Sequence, residues 1–180
     1  MICKKYRKDM DMATYINNYV DFPLTQEACR ACSDYGKVWS CPPFSFFPST
    51  ILTSFDSISI RLCQLWIEEK DQRLPLEDLF AQARTSLFQE IRAEEEERPG
   101  SLALLAGSCR LCDPLPCARI EGKPCRRPSA MRHSMESMGA KVGPLIEDLF
   151  GIPLLWAKDG TYPPYFCLLA ALCYGAKTPR

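Results

Sequence analysis

Cysteine is the residue that most constrains this chain, because eleven cysteines occur in 180 residues and most of them are grouped. The first group has the spacing Cys29-x2-Cys32-x8-Cys41, and the second has the spacing Cys109-x2-Cys112-x4-Cys117-x7-Cys125. Two thiols separated by two residues can face the same metal, since the chain turns back between them. The fold must therefore accommodate these groups either as metal sites or as disulfides.

The rest of the sequence favours metal over disulfides. The basic start, MICKKYRKDM, is followed by no apolar stretch of the kind a secretory signal requires, and no run is long enough to span a membrane. Disulfides persist in oxidising compartments, whereas free thiolates in a reducing cell usually bind metal. We therefore expect a cytoplasmic protein that has no membrane association. Its predicted metal ligands are Cys29, Cys32, Cys41, Cys109, Cys112, Cys117 and Cys125.

The spacing favours iron–sulfur over zinc. Structural zinc commonly uses two short cysteine pairs, whereas each group here has one pair followed by lone cysteines at unequal spacing. A cubane spreads its corners over several ångströms and tolerates such spacing better than one tetrahedral ion. Pro42 follows Cys41 directly, as proline follows the last cysteine of bacterial ferredoxin runs. We predict one or two [4Fe–4S] clusters, with zinc as the alternative.

The fourth ligand of the Cys29 group is not evident from spacing. Cys63, Cys167 and Cys173 lie in apolar strand patterns, where free cysteine is expected to behave as a small buried hydrophobe. One of these three or Cys3 could still complete the group. The other possibility is an iron with an open position, where substrate or water could bind.

The charge of the whole chain does not favour nucleic-acid binding, but the charge around the second cysteine group is compatible with a metal cluster. Lysine plus arginine equals aspartate plus glutamate at 22 each, so no overall field indicates nucleic acid. From Cys109 to Arg132, however, six cations against Asp113 and Glu121 leave a net charge of +4. These cations could stabilise a negatively charged cluster, form a basic surface loop, or receive an anionic substrate or partner. The six are Arg110, Arg119, Lys123, Arg126, Arg127 and Arg132.

Periodicity predicts an α+β fold. Apolar residues alternate over 57–67, which indicates a half-buried strand whose alternation slips at Leu65, and they recur on one helical face over 75–97. The glutamates at 94–97 are expected to be a solvated helix end. Further strands are predicted at 101–106, 154–158 and 165–174, and further helices at 128–140 and 143–150, while a weak helical pattern surrounds Met10, Tyr15 and Tyr19. The expected architecture is a mixed, roughly four-stranded sheet with helices mainly on one face and two cysteine-rich metal-binding loops.

This order predicts a single domain over residues 1–180. Within it, we expect a first cysteine loop at 25–48, a strand–helix–strand unit at 57–107 and a second cysteine loop at 108–128. Residues 129–175 then supply helices and two C-terminal strands.

Several longer strings resemble a known family. CRACSDYGKVWSCPPFSF (29–46), SLALLAGSCRLC (101–112), EGKPCRRPSAMRHSMESMGAKV (121–142) and LLWAKDGTYPPYF (154–166) resemble the motifs of predicted metal-binding proteins, domain of unknown function 2284. The resemblance implies metal binding by the seven grouped cysteines, but it implies no reaction. It also marks Arg126, Arg132, Ser134 and Glu136 as motif positions. Relatives often have a tighter Cys-x2-Cys-x2-Cys in the second group, so the resemblance is weakest at Cys117.

Three functions remain open from the sequence. The first is an iron–sulfur protein that transfers electrons or assists a metalloenzyme partner. The second is a zinc-stabilised binding module, and the third is an iron–sulfur enzyme with an open iron at the Cys29 group. Isolated glycines such as Gly36 and Gly100 form no dinucleotide-binding pattern, and no Ser/His/Asp spacing indicates a hydrolase.

Overall fold

The sheet is built from strands whose apolar residues alternate, and a computed structural model describes it within residues 2–176. Its strands are β1 (Ile2–Asp11), β2 (Phe55–Trp66), β3 (Leu102–Leu104) and β4 (Tyr165–Ala176). Their spatial order is β1-β2-β4-β3, and all three neighbouring pairs are antiparallel. The α+β class with four strands is confirmed, although the sheet is antiparallel where a mixed one was predicted.

Strand β2 buries both of its faces. Ile58, Ile60 and Leu62 belong to the core on one side of the sheet, and Cys63 and Leu65 belong to the core on the other. Pairing with β1 and β4 continues in register through this point. The slip in alternation at Leu65 therefore marks two-sided burial.

Helices cover both faces. Asp11 and Asp21 cap the first two helices by accepting the N–H groups of Thr14 and Leu24 at 2.8 and 3.0 Å. Residues of α1, α3 and α5 pack on one face, and α4 packs on the other. The predicted helices at 75–97 and 143–150 are confirmed. The helices are α1 (Met12–Tyr19), α2 (Phe22–Arg30), α3 (Pro48–Leu52), α4 (Leu76–Glu97) and α5 (Val142–Phe150).

Strand β1 was not predicted from the sequence, whose weak helical pattern around Met10, Tyr15 and Tyr19 falls mostly on α1. It is an edge strand with mostly exposed side chains, so it lacks the apolar alternation that identifies a half-buried strand. Lysines such as Lys4 and Lys5 are typical of edge strands, where charge discourages pairing with another chain. The prediction of a fourth strand at 154–158 is wrong, because this segment is irregular apart from an isolated bridge between Lys158 and Thr161.

The predicted helix at 128–140 is also wrong. Met131, Met135 and Met138 fit helical spacing, but the segment forms turns and an isolated parallel bridge from Ser134 to Leu105. The side chain of Ser134 accepts the N–H of Ser137 at 3.0 Å, and the side chain of Ser137 accepts the N–H of Ser134 at 3.1 Å. These bonds compete with helical hydrogen bonding and fix a turn in its place.

The domain prediction includes residues 1 and 177–180, which lie outside the described residues. Within the described part, none of the helices has the length and apolarity needed to cross a bilayer.

Candidate metal centre

The first cysteine group starts on a helix. Cys29 lies in the last turn of α2, where a fully irregular loop was predicted, and Cys32 follows the end of the helix. The Cys32 N–H donates to the Cys29 carbonyl at 3.0 Å, and the Cys41 N–H donates to the Val38 carbonyl at 3.0 Å. Gly36, at a φ of 71°, donates its N–H to the Pro42 carbonyl at 2.9 Å and so closes the loop. Successive turns thus return Cys41 towards Cys29 and Cys32.

All three of these thiols line one large cavity of about 760 Å³. Burial raises the pKa of Cys29, and it raises the pKa of Cys41 to about 11. Neighbouring thiols add to both shifts, since ionising one thiol disfavours ionising the next. A bound cation would lower the pKa values of these thiols, because it stabilises thiolates that would otherwise repel one another.

The second group lines a separate, smaller cavity of about 140 Å³, to which all four thiols contribute. Burial raises the pKa of Cys109, and its three partners in the group raise it further. Cys117 is among the lining residues, so the longer spacing before it does not remove it from the group. The four are Cys109, Cys112, Cys117 and Cys125.

The seven grouped cysteines are free thiols, and none of them is joined to another as a cystine. The structure does form one disulfide elsewhere, between Cys3 on β1 and Cys63 on β2. Cys63 is buried as predicted, but it is not a free cysteine. Cys173 is a fully buried free thiol and Cys167 is half-buried, and neither lines the cavities of the two groups. Within residues 2–176, therefore, no ungrouped cysteine joins the Cys29 group in lining its cavity.

Ser40 joins the two groups. Its buried hydroxyl accepts the Cys109 N–H at 2.9 Å and lies 3.8 Å from the Cys41 sulfur. His133 donates its Nδ1–H to the Ser40 carbonyl over 3.1 Å. Trp39 lines the Cys109 cavity and donates its indole N–H to the Lys123 carbonyl at 3.0 Å. Nothing in the spacing of the cysteines indicated that the loops, 60 or more residues apart, form one unit.

The basic residues around the second group are largely engaged by protein groups. Arg119 donates to the carbonyls of Val38, Cys41 and Pro43 at 2.9, 2.6 and 2.6 Å, and so fastens the two loops together. Arg110 pairs with Asp34 at 3.1 Å. Arg127 lines the Cys109 cavity.

Arg132 anchors the exit of the second cysteine loop to α4. Its Nε lies 2.8 Å from Glu95 Oε1, and Glu95 also accepts the Ala103 N–H at 2.8 Å and contacts Arg92. Glu95 is only 8% exposed, so the expectation of a fully solvated helix end at 94–97 is wrong at this position. Because residues 128–140 form no helix, Arg132 and Glu136 do not lie on one helical face.

The side chains are not arranged as a ready coordination shell. In residues 2–176, no three His, Cys, Asp or Glu side chains are placed to hold a single metal ion. Binding of an ion or a cluster at either cavity therefore requires thiols to rotate towards a common point. The donor set nevertheless fits a metal, since several half-buried free thiols share each cavity.

One further donor lies in the Cys29 cavity. Glu136 lines it, burial raises the pKa of this carboxyl group, and its Oε2 atom is buried without a hydrogen-bond partner. The motif comparison marked this residue without assigning it a role, and spacing alone could not connect it to Cys29.

Comparison with known proteins identifies a family for this chain. A family model described as predicted metal-binding protein (DUF2284) matches residues 19–170. No significant match was found among curated proteins or among solved structures. The matched span contains all seven grouped cysteines together with Ser40 and Glu136. The chain therefore belongs to the DUF2284 family of predicted metal-binding proteins.

Proposed function

We propose that the protein is an iron–sulfur protein that transfers electrons or assists a metalloenzyme. Cys109, Cys112, Cys117 and Cys125 would hold one [4Fe–4S] cluster, and the Cys29 group would contribute to a second. The observation that carries the proposal is the meeting of four free thiols around a single cavity of about 140 Å³. The cluster would supply reversible one-electron chemistry, and the chain would supply its ligands, its shielding and its contacts.

Cavity size supports a cluster over zinc. Zn–S bonds of about 2.3 Å would hold four sulfurs within about 3.8 Å of one another, which leaves no space between them. The second group instead lines a cavity of about 140 Å³. A cubane of iron and sulfide needs such an interior volume.

The contacts through Ser40 support electron transfer between two sites. Cys41 of the first group and Cys109 of the second are joined by one hydroxyl, within 3.8 and 2.9 Å. Hydrogen bonds to cluster sulfurs and nearby positive charge raise the reduction potential of a cluster. Arg119 and Arg127, beside the two loops, are placed to do this.

A protein partner would receive or deliver the electrons. Leu115 and Ile120 line the Cys109 cavity and remain 62% and 58% exposed, so they offer apolar contact close to the proposed cluster. The chain has neither a net positive charge nor a membrane-spanning helix in its described part that would favour nucleic acid or membrane. We propose a reducing, cytoplasmic setting because the seven grouped thiols are free, and the Cys3–Cys63 disulfide between β1 and β2 is the one observation that points the other way.

The test is anaerobic purification of the untagged protein followed by analysis of iron, labile sulfide and zinc. The proposal predicts iron and sulfide in equal amounts, together with a visible absorbance that bleaches on reduction. Stoichiometric zinc without sulfide would instead establish the zinc-stabilised module.

The size of the Cys29 cavity favours a second candidate, an enzyme with an open iron. At about 760 Å³, this cavity could admit a small substrate beside three thiolates. Spectroscopy that detects a fully ligated cluster at this site, unchanged by added small molecules, would remove the reason for this candidate.

A further inference from the structure

Glu136 brings a carboxylate to the only cysteine group that lacks a fourth thiol. It lies on a turn segment and lines the Cys29 cavity together with the three cysteines. The carboxylate is close enough to Cys29 to interact with it electrostatically. Two segments that are distant in sequence therefore place one carboxylate and three thiols around the same space.

Donor groups lie near the Glu136 carboxyl group, but one of its two oxygens has no hydrogen-bond partner within residues 2–176. Burial raises the pKa of Glu136, and the Ser134 hydroxyl and the N–H groups of Glu136 and Gly107 oppose this shift by favouring the charged form. Its Oε2 atom is buried and has no hydrogen-bond partner in the described part of the chain. A buried oxygen without a partner is costly, and native proteins retain one mainly where a ligand satisfies it.

Other groups in the cavity do not offer an equivalent donor. Ser134 and Ser137 are bonded to each other's backbone, and the Tyr35 hydroxyl accepts from Gln26 at 3.3 Å. The two other unpartnered buried oxygens of residues 2–176, Tyr15 Oη and Gln26 Oε1, do not line this cavity. Ungrouped cysteines are likewise absent from its walls.

We propose that Glu136, through Oε2, is the fourth ligand of the metal centre held by Cys29, Cys32 and Cys41. The inference rests on the proposed function and deepens it, since a carboxylate ligand closes the site that a fourth thiol would otherwise complete. A closed site favours electron transfer over catalysis at an open iron. An oxygen ligand also holds iron less firmly than a thiolate, so the iron bonded to Glu136 is the one most easily lost.

The experiment compares Glu136→Ala, Glu136→Gln and Glu136→Cys with the wild type after anaerobic iron–sulfur reconstitution. Glu147→Ala is the matched control, because Glu147 is an exposed glutamate on nearby α5. The readouts are iron and sulfide per chain, and the EPR spectrum after brief exposure to air. Circular dichroism establishes that each variant is folded, and Glu136→Gln keeps the volume of the side chain if Glu136→Ala does not fold.

Glu136→Ala and Glu136→Gln should lose one iron at least about tenfold faster than the wild type, since even an outer-shell partner of a metal ligand is worth about 10–100-fold in affinity. The product should show the EPR signal of a three-iron cluster. Glu136→Cys should retain its iron longer than the wild type, and Glu147→Ala should match it. Wild-type rates and spectra in both Glu136→Ala and Glu136→Gln would overturn the assignment.

The experiment distinguishes a failure of the Glu136 assignment from a failure of the proposed iron–sulfur function. Iron-loaded variants that behave like the wild type refute the ligand role of Glu136 and leave the iron–sulfur function intact. A wild type that holds zinc refutes the iron–sulfur function, and zinc per chain in the same variants then tests the ligand role by itself.

Discussion

The two cysteine groups share a fold, but they present different sites. The Cys109 group has four thiols around about 140 Å³, whereas the Cys29 group has three thiols and a buried carboxylate around about 760 Å³. The loop after the Cys109 group is tied to α4 through Arg132 and Glu95, while Cys29 and Cys32 sit at the end of a helix without buried residues. The difference indicates a compact site with four thiols beside a roomier one with three thiols and a carboxyl group.

The largest effect should come from removing a proposed ligand from one site at a time. Cys112→Ser should lose the iron of the Cys109 cavity and keep that of the Cys29 cavity, and Cys32→Ser should do the reverse. Iron analysis and EPR spectroscopy measure both. Cys167→Ser is the control, because Cys167 is a half-buried thiol outside both cavities.

If either variant loses all of its iron, the two cysteine groups form one site and do not hold separate clusters.

Cys117→Ser tests whether Cys117 belongs to the Cys109 group, since Cys117 follows an unusually long spacing but lines the Cys109 cavity. It should behave like Cys112→Ser.

The contact of Arg132 with Glu95, which ties the second cysteine loop to α4, should contribute to the free energy of unfolding. Glu95→Ala leaves Arg132 without its partner and the Ala103 N–H without its acceptor. Breaking such a buried pair should lower the free energy of unfolding by about 3–5 kcal/mol. Urea denaturation measures the loss, and Glu97→Ala, which changes an exposed glutamate two residues away, should stay close to the wild type. Equal stability of the two variants would contradict the anchoring.

The link between the sites depends on one hydroxyl. Ser40→Ala leaves the Cys109 N–H without its acceptor, so the free energy of unfolding should fall by about 1–3 kcal/mol. With clusters bound, the magnetic interaction between them should also change in the EPR spectrum. Ser45→Ala, an exposed change in the same loop, is the control. An unchanged spectrum and stability in Ser40→Ala would show that Ser40 does not couple the groups.

The smallest effect should come from replacing Cys173, a buried thiol outside both cavities, and it should alter the free energy of unfolding only at high pH. Burial raises the pKa of Cys173 to about 12 from an ordinary value of 9.0. Above pH 9 the unfolded chain loses this proton while the folded chain keeps it, so unfolding becomes easier as pH rises. By pH 10 the ionisation of this thiol in the unfolded chain should lower the free energy of unfolding by about 1 kcal/mol, and Cys173→Ala should lack that part of the decline. Equal pH dependence in the two proteins, measured by urea denaturation at pH 8 and 10, would refute burial as the cause.

Sequence reasoning succeeded where a pattern is local. The apolar face of α4 and the alternation of β2 identify those elements because burial imposes a period on each. It failed at β1, an edge strand without that period, and at residues 128–140, where Ser134 and Ser137 fix a turn despite helical spacing of the methionines. At the candidate site, spacing identified the two groups of thiols. It could not identify Ser40, Glu95 or Glu136, whose roles depend on contacts between segments far apart in the chain.

X-ray absorption at the iron and zinc edges of the anaerobically purified protein tests most directly whether the two thiol groups hold iron–sulfur clusters. The account predicts iron surrounded mainly by sulfur, with further iron atoms at the short distances found within a cubane, and no stoichiometric zinc. Zinc bound by four sulfurs, or a protein that holds neither metal while its grouped thiols remain intact, would contradict it.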